Sequence, residues 1–343
     1  MIQSITIHQY LEKYINIPLV DVRSPGEFAQ GKIPLALNVP LFSNEERAIV
    51  GTAYKMQSKE KAMEIGLKFV QPKLQSFIDE CNRIEKDEKI IIHCWRGGLR
   101  SKSFAEHLSN NGFTKVFLLE GGYKSFRTNL LLTFKSNYNL IVLGGYTGSG
   151  KTETLHELEN LGEQIIDLEM LANHKGSAFG GLGEITQSTT EQFENNIFWE
   201  WKNLDKDRLI WIEDESRNIG RVFLPQDLYA NIRFQNTIFM EIPVDKRAVF
   251  LKCGYSKIPH KSLEDAILKI GKKIGNENVQ LAIQELEKRN YINVAKIALK
   301  YYDKRYLHGL NKRNKDTVSI LQFRDVDPLK NADKLRKYVF RKA

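Results

Sequence analysis

Cys94 lies in a loop whose composition could make a cysteine reactive toward an anion. Two glycines and two arginines follow it closely: Gly97, Gly98, Arg96 and Arg100. Backbone N–H groups, the positive end of a following helix and the arginine charges together favour a thiolate and an oxyanion pocket. The sequence therefore predicts that Cys94, Arg96 and Arg100 are catalytic and that Gly97 and Gly98 help to bind a tetrahedral anion. Cys81 and Cys253 lack such surroundings, and we interpret both as structural cysteines.

A second loop has the spacing of a phosphate-binding loop. Residues 145–152 satisfy the pattern G-x-x-x-x-G-K-[ST] between an apolar strand and a helix. The predicted phosphate-binding residues are Gly145, Gly148, Ser149, Gly150, Lys151 and Thr152. The glycines let backbone amides approach phosphate oxygens, Lys151 supplies a point charge, and the Thr152 hydroxyl can hold Mg²⁺. The pattern indicates a bound di- or triphosphate but does not distinguish ATP from another diphosphate ester.

Further polar residues follow the predicted strands of this second region. Asp214 and Glu215 come after a buried strand, in the position of a metal-holding carboxylate, and Arg217 follows them. Acids at strand ends are also common without such a role, so no metal site is certain. The glycine-rich residues 174–183 include His174 and Lys175, and we interpret them as a loop that contacts diphosphate or nucleoside, with a plain connecting turn as the alternative.

The order of predicted elements indicates two α/β domains with parallel sheets. Strands are expected at residues 17–22, 89–93, 115–119, 140–143, 164–168, 208–213 and 237–242. An amphipathic stretch at residues 5–14 opens the chain. Helices are expected within 45–84 and at 101–110, 151–161 and 191–204, with a mostly helical chain after Asp245. We place a first domain at residues 1–130 and a second at residues 138–343.

Charge and composition favour a soluble protein that meets RNA. The chain has only 3 cysteines, no apolar run long enough for a membrane span and no secretory signal, which predicts a cytoplasmic protein with no membrane partner. The formal net charge is +9, and residues 282–343 alone hold 16 Lys and Arg against 7 Asp and Glu. Interleaved tyrosines in this basic stretch suit a phosphate backbone with unstacked bases, whereas a solvated helical face is the alternative. We expect the tail charges of Arg336, Lys337, Arg341 and Lys342 to contribute to RNA binding.

The Cys94 loop resembles two known families. Its Cys-x5-Arg spacing after a histidine is similar to the protein tyrosine phosphatase signature, which leaves a phosphatase as an alternative. Upstream and downstream segments resemble rhodaneses: Asp-Val-Arg-Ser-Pro-Gly-Glu-Phe at 21–28, Gly-Lys-Ile-Pro at 31–34 and Leu-Leu-Glu-Gly-Gly-Tyr at 118–123. Sulfur-transferring rhodaneses have one residue fewer between Cys and Arg. The larger loop suits a larger anion, such as phosphate or phosphate carrying selenium.

Both loops together resemble the tRNA 2-selenouridine synthase family. The shared segments are Cys-Trp-Arg-Gly-Gly-x-Arg-Ser from Cys94 and residues 121–127, 167–169, 172–180, 190–195 and 214–220. The resemblance spans about residues 17–300; Leu99 and Lys175 stand where the family pattern has Met and Arg. It implies an N-terminal rhodanese-like parallel-sheet domain and a C-terminal P-loop NTPase-like α/β domain with a helical, basic C-terminus.

The resemblance also implies a reaction. It implies a transferase that converts wobble 2-thiouridine in tRNA to 2-selenouridine through an S-geranyl intermediate, with geranyl diphosphate at the Lys151 loop and selenophosphate at the Cys94 loop. The implied partners are tRNA and a source of selenophosphate, with Mg²⁺ as an accompanying ion and no tightly bound cofactor. For the geranyl chain the candidates are Phe179, Phe193, Phe198 and Trp199.

Two other functions stay open on the residues alone. An ATP-dependent kinase with an accessory rhodanese domain would show phosphoryl transfer or nucleotide hydrolysis that depends on Lys151. A non-catalytic module would bind anions and RNA without turnover. The sequence does not specify which tRNAs are used or the oligomeric state.

Overall fold

The computed structural model describes residues 2–84, 89–176, 179 and 186–341 of the 343-residue chain. The chain divides into two compact units, Met1–Thr133 and Phe134–Ala343. Each unit is built on a five-stranded parallel sheet, which confirms the predicted α/β class. Within the described residues, no helix is both long and apolar enough to cross a membrane.

The first unit has its parallel strands in the order β1-β5-β4-β2-β3. The strands are β1 (Ile2–Ile5), β2 (Leu19–Asp21), β3 (Leu37–Asn38), β4 (Lys89–His93) and β5 (Lys115–Leu119). The helices are α1 (Ile7–Gln9), continued by a π-helical turn (Tyr10–Tyr14), α2 (Pro25–Gln30), α3 (Asn44–Met56), α4 (Lys59–Val70), a 3₁₀ turn (Gln71–Lys73), α5 (Leu74–Ile84), α6 (Leu99–Asn110) and α7 (Gly122–Thr133). The strands predicted at 89–93 and 115–119 are thereby confirmed.

The position of β4 explains where Cys94 lies. Ile90, Ile91 and Ile92 are fully buried because β4 is the middle strand and both of its faces are covered. Ile90 and Ile92 pack with side chains such as Phe104 of α6 in the core of this unit. Cys94 follows directly, at the carboxyl end of the central strand, where parallel α/β sheets place their ligand sites.

The second unit has its parallel strands in the order β12-β11-β6-β8-β7, with a short antiparallel pair, β9 and β10, beside them. The strands are β6 (Leu140–Gly145), β7 (Gln164–Ile166), β8 (Ile210–Glu213), β9 (Asn218–Ile219), β10 (Val222–Phe223), β11 (Thr237–Glu241) and β12 (Val318–Gln322). The helices are α8 (Lys151–Asn160), α9 (Leu168–Ala172), α10 (Thr190–Trp201), α11 (Gln226–Phe234), α12 (Val244–Tyr255), α13 (His260–Ile274), α14 (Asn276–Glu287), α15 (Tyr291–Leu310), a 3₁₀ turn (Lys315–Thr317) and α16 (Pro328–Phe340).

The C-terminal part of the chain contains a strand that the sequence analysis missed. We predicted a mostly helical chain after Asp245, but β12 pairs with β11 along its whole length, from Thr237↔Val318 to Glu241↔Gln322. An edge strand pairs on one side only, and its outer residues stay exposed, as Ile320 does at 56%. Such a strand lacks the continuous apolar run of a central strand, so its sequence pattern is weak.

Candidate functional site

The thiol of Cys94 lies at the base of the loop that joins β4 to α6. Its side chain is buried, and Sγ lies 3.3 Å from the hydroxyl oxygen of Ser101 in the first turn of α6. The Ser101 hydroxyl is also 3.1 Å from the carbonyl oxygen of Gly98 and can donate to it. Ser101 was not among the predicted site residues. Its position directly after Arg100 is the sequence feature that could have indicated a place in the site.

The backbone of this loop is held so that its carbonyls turn away from the cradle. The carbonyl oxygens of Cys94 and Trp95 accept hydrogen bonds from the N–H groups of Tyr123 and Lys124, both at 2.9 Å. This contact needs glycine at 122, because φ is +56° and a Cβ would lie 2.2 Å from the Cys94 oxygen. The amides of residues 95–98 donate to no atom of the described chain. They are available to a bound anion.

The two predicted arginines of the loop have different surroundings. Arg100 donates to both carboxylate oxygens of Glu27, at 2.9 and 3.4 Å. Burial alone would raise the pKa of Glu27, but the bonds to Arg100 and the amide of Ser24 keep it below its usual value. Arg96 is exposed and has no acidic partner within the described residues. An anion above Cys94 would therefore meet Arg96 freely and would compete with Glu27 for Arg100.

A cluster of buried charged side chains lies next to the Cys94 loop. The Arg23 guanidinium binds both oxygens of Asp21, with distances from 2.6 to 3.0 Å, and lies 3.9 Å from the centre of the Tyr123 ring. Burial would raise the pKa of Asp21, but His93 and Arg23 hold it below its usual value. Burial lowers the pKa of His93, whose Nδ1 lies 3.3 Å from the Cys94 carbonyl oxygen. These side chains position the cysteine loop.

The predicted phosphate loop joins β6 to α8 in the second unit. Lys151 Nζ donates to the carbonyl oxygen of Gly145 at 3.2 Å, the first glycine of the loop. The Ser149 hydroxyl is buried and has no hydrogen-bond partner in the part of the chain that is described. Gly148 has φ of +77°, and a Cβ there would lie 2.9 Å from Leu251 of α12. An apolar side chain therefore lies directly against the predicted phosphate loop, at a position that only glycine fits.

The carboxylate nearest to this loop is Glu213, at the end of β8. The Thr152 hydroxyl lies 2.7 Å from Glu213 Oε1 and 3.1 Å from Glu169 Oε2. Burial and the charge of Glu169 raise the pKa of Glu213 well above its usual value. Burial and the charge of Glu215 raise the pKa of Glu169 to about 8, and burial, with Glu213 and Asp214, raises that of Glu215 to about 7. We predicted Asp214 and Glu215 at this position, whereas Glu213 and Glu169 were missed.

Asp214 serves a different contact. It forms ion pairs with Arg313 and, at 3.5 Å, with Arg233. The Tyr306 hydroxyl donates to Asp214 Oδ2 at 2.7 Å and accepts from the N–H of Gly145 at 3.1 Å. Successive strand residues point to opposite sides, which explains why Glu213 reaches Thr152 and Asp214 does not. Asp214 thus connects α15 to the start of the phosphate loop.

Only some of the other predicted site residues lie near the phosphate loop. His174, Lys175 and Glu215 line the same cavity as Lys151, whereas Arg217 is exposed and is not among the described residues that line it. Of the predicted glycine-rich loop, residues 177, 178 and 180–183 lie outside the described residues. Whether His174 and Lys175 contact substrate stays a prediction.

The cavity above the phosphate loop has a volume of about 1560 Å³. Its apolar wall comes from Phe179, from α12, α13 and α15, and from the segment between α12 and α13: Leu251, Tyr255, Ile258, Ile270 and Tyr302. The Phe179 ring stacks on Tyr255 at 5.1 Å and meets the edge of Tyr302 at 6.4 Å. Phe193 and Phe198, predicted as apolar pocket residues, are core side chains that do not line this cavity, and neither does Trp199.

Metal binding at the phosphate loop has suitable donors. Within the described residues, no group of three or more His, Cys, Asp and Glu side chains could hold a metal ion by itself. Mg²⁺ in P-loop proteins instead uses one hydroxyl, one carboxylate, substrate phosphates and water. Thr152 and Glu213, at 2.7 Å from each other, supply the two protein donors of that set.

The fold and the two loops define a protein that joins a rhodanese-type cysteine loop to a P-loop unit. Residues 7–129 match the family model of the rhodanese-like domain, and residues 138–332 match that of the tRNA 2-selenouridine synthase AAA domain. A relative named tRNA 2-selenouridine synthase, from Nitrosomonas europaea, is 33% identical and covers 86% of this chain and 90% of its own length. The chain belongs to the tRNA 2-selenouridine synthase family, as the sequence resemblance predicted.

A second relative agrees with this. A protein of the same name from Sulfurovum sp. is 35% identical over 80% of this chain and 76% of its own length. Among solved structures, the rhodanese-like domain protein from Staphylococcus aureus covers 36% of this chain and 90% of its own, with 26% identity and a TM-score of 0.23.

Proposed function

We propose that this protein converts 2-thiouridine at the wobble position of tRNA into 2-selenouridine, with geranyl diphosphate and selenophosphate as co-substrates. Membership of the family supports the reaction on tRNA. The observation that carries the choice of a prenyl donor is the cavity of the second unit, in which the phosphate loop adjoins an apolar wall. Leu251 packs against Gly148, so the apolar surface begins where the phosphate loop ends. A prenyl diphosphate has this same division between a charged head and an apolar chain.

In the first step, the sulfur of 2-thiouridine attacks C1 of geranyl diphosphate. A carbon–sulfur bond forms, the carbon–oxygen bond breaks, and pyrophosphate leaves with the electron pair. Lys151 and the amides of the phosphate loop stabilise the charge that develops on the departing oxygens. Thr152 and Glu213 would hold a Mg²⁺ ion, which would supply further charge neutralisation. The apolar wall at Phe179, Tyr255 and Tyr302 holds the chain and excludes water from C1.

In the second step, Cys94 positions the selenophosphate bound above it, and selenophosphate delivers selenium to C2 of the modified base. A carbon–selenium bond forms, the carbon–sulfur bond breaks, and geranyl thiol leaves after taking a proton. Water then cleaves the phosphorus–selenium bond and releases phosphate. The amides of residues 95–98 and Arg96 are suited to bind the phosphate oxygens, and Arg100 joins them when it exchanges its bonds to Glu27. Alkylation in the first step makes the sulfur a good leaving group for the second.

The proposal is tested by supplying one donor at a time. We expect the protein to convert thiolated tRNA to the S-geranyl form with geranyl diphosphate alone, without ATP, and the Lys151→Ala variant to lose at least 100-fold in rate, the size of effect expected for a lost transition-state charge contact. Nucleoside mass spectrometry detects the product. ATP hydrolysis that depends on Lys151, with no prenyl transfer, would instead identify the ATP-dependent kinase.

A further inference from the structure

The charges of the C-terminal helix α16 are largely compensated within the protein. Its cations are paired as Arg336–Glu163 at 2.9 Å, Lys337–Asp333 at 2.5 Å and Lys330–Asp327 at 2.7 Å. Because each of these cations faces an acid, the field that reaches an approaching phosphate is weakened. Lys342, which we also predicted for RNA binding, lies outside the described residues.

A second set of cations surrounds the cavity above the phosphate loop. We call it the cavity rim, and it consists of Lys257, Lys273, Arg305 and Lys312. All four side chains are exposed. None of them has an acidic partner among the residues that the structure describes. Their positive charges are therefore available to an anionic ligand that extends beyond the phosphate loop.

The rim combines these cations with an aromatic ring. Tyr301, Arg305 and His308 recur at helical spacing on one face of α15, and Lys312 follows just beyond its end. Lys273 Nζ lies 5.6 Å from the centre of the Tyr301 ring, which is half-buried beside Tyr302 at 5.2 Å. Cations beside an exposed aromatic face are the combination that binds single-stranded nucleic acid, because phosphates pair with the charges and bases stack on the ring.

We infer that the cavity rim docks the single-stranded anticodon loop of the tRNA, with phosphates at Lys257, Arg305 and Lys312 and an unstacked base at Tyr301. This inference rests on the proposed function, because that reaction requires a uridine to reach the prenyl donor. The cavity of about 1560 Å³ has the room, since ligand sites for one small molecule measure roughly 300–1,000 Å³. A rigid duplex could not bring a stacked base to the phosphate loop.

The test compares two triple variants of the full chain that lose the same charge. The rim variant is Lys257→Ala, Arg305→Ala and Lys312→Ala, and the matched control in α16 is Lys330→Ala, Lys334→Ala and Lys337→Ala. Binding of an anticodon stem-loop RNA is measured by fluorescence anisotropy at several salt concentrations. Removing three phosphate contacts to single-stranded RNA makes the plot of the log association constant against log salt less steep by about 2. The affinity loss between 50 and 200 mM salt then shrinks roughly 20-fold.

Each outcome decides the inference. A flatter slope in the rim variant with an unchanged slope in the α16 control supports docking at the rim. Equal slopes in both variants overturn it, whether both match the unchanged protein or both are flattened. The S-geranylation test of the unchanged protein separates the two claims: prenyl transfer with equal slopes leaves the proposed function standing, whereas an unchanged protein that binds no stem-loop and transfers no prenyl group removes both. Unchanged far-ultraviolet circular dichroism and thermal midpoints confirm that both variants are folded.

Discussion

The hydroxyl of Thr152, at the end of the phosphate loop, lies 2.7 Å from Oε1 of Glu213, at the end of β8. The same hydroxyl lies 3.1 Å from Glu169 Oε2, and its single proton can serve only one of the two carboxylates at a time. Oxygen donors from a P-loop hydroxyl and a strand-end carboxylate thus converge beside Lys151. Glu213 is therefore the acid whose loss should affect diphosphate chemistry most directly.

Glu213 and Asp214 are neighbours in sequence, but substitution of Glu213 should lower activity without lowering stability, whereas substitution of Asp214 should lower stability. The Glu213→Gln variant should lose at least 100-fold in prenyl transfer, since charge stabilisation at a reacting group contributes on this order. Its thermal midpoint should be unchanged or higher, because a buried carboxylate with a raised pKa has been removed. Equal activity of the Glu213→Gln variant and the unchanged protein would refute its role.

Asp214→Asn serves as the structural counterpart. It leaves the buried Arg313 guanidinium with a neutral partner. Breaking such a pair costs about 3–5 kcal/mol. At roughly 2–4 °C per kcal/mol for a unit of this size, the thermal midpoint should fall by about 10 °C. A midpoint equal to that of the Glu213→Gln variant would contradict the different environments of these two acids.

The phosphate loop could be predicted from the sequence, whereas the different contacts of these two acids could not. The residues of the phosphate loop could be predicted because strand, glycines, lysine and helix follow one another locally. Which carboxylate faces the loop depends on how β8 is turned against β6, and one residue of register exchanges Glu213 for Asp214. Glu169 reaches the loop from another helix, α9, and no local pattern indicates it.

The stability of the protein should fall with rising pH over the range in which Glu169 and Glu215 ionise. Their pKa values are raised from 4.5 to about 8 and about 7 in the folded protein. The folded state therefore binds these protons more tightly than the unfolded chain, and the favourable contribution is complete below pH 4.5 and lost as pH rises through these values.

The pH dependence is tested by measuring the thermal midpoint from pH 5 to pH 9 in the presence of a chelator. The Glu169→Gln variant should have a flatter profile than the unchanged protein, whereas Glu163→Gln, which alters the acid paired with Arg336, should keep its slope. Superimposable profiles for the Glu169→Gln variant and the unchanged protein would show that Glu169 is not strained by burial.

Arg23 should be essential for the stability of the cysteine unit. It is fully buried and binds Asp21, so Arg23→Ala leaves a buried carboxylate unpaired. The expected loss is about 3–5 kcal/mol of unfolding free energy. Urea unfolding of the full chain, followed by tryptophan fluorescence, measures it. The double variant Asp21→Asn/Arg23→Met should lose less than Arg23→Ala, and a larger loss in the double variant would argue against the unpaired charge as the cause.

Glu27 should compete with anions for Arg100. The Glu27→Gln variant keeps a side chain that can cap α2, because glutamine also serves in a capping box. It weakens the hold on Arg100, and inorganic thiophosphate should then bind the Cys94 loop more tightly, by about tenfold for a charge contact of about 1.4 kcal/mol. Arg100→Ala should weaken binding, and calorimetry measures both. Weaker binding to the Glu27→Gln variant would show that Arg100 is positioned for the anion by Glu27.

The fold was predictable where buried parallel strands are continuous in sequence. Ile90, Ile91 and Ile92 are buried on both faces of the first sheet, and their apolar run identifies β4 without further information. The edge strand β12 has no such run and depends on pairing with β11 for its existence. The charges of α16 are largely compensated, whereas those of the cavity rim are not. This difference likewise depends on tertiary placement, which a count of basic residues does not contain.

In the proposed division of labour, prenyl transfer depends on Lys151 and selenation depends on Cys94. This division is tested most directly by nucleoside mass spectrometry of thiolated tRNA incubated with the Cys94→Ala variant, geranyl diphosphate and selenophosphate together. We predict that S-geranyl-2-thiouridine accumulates and that no 2-selenouridine forms, while the unchanged protein yields 2-selenouridine. A folded Cys94→Ala variant that forms 2-selenouridine at the normal rate, or that loses geranylation as completely as selenation, would contradict the claim.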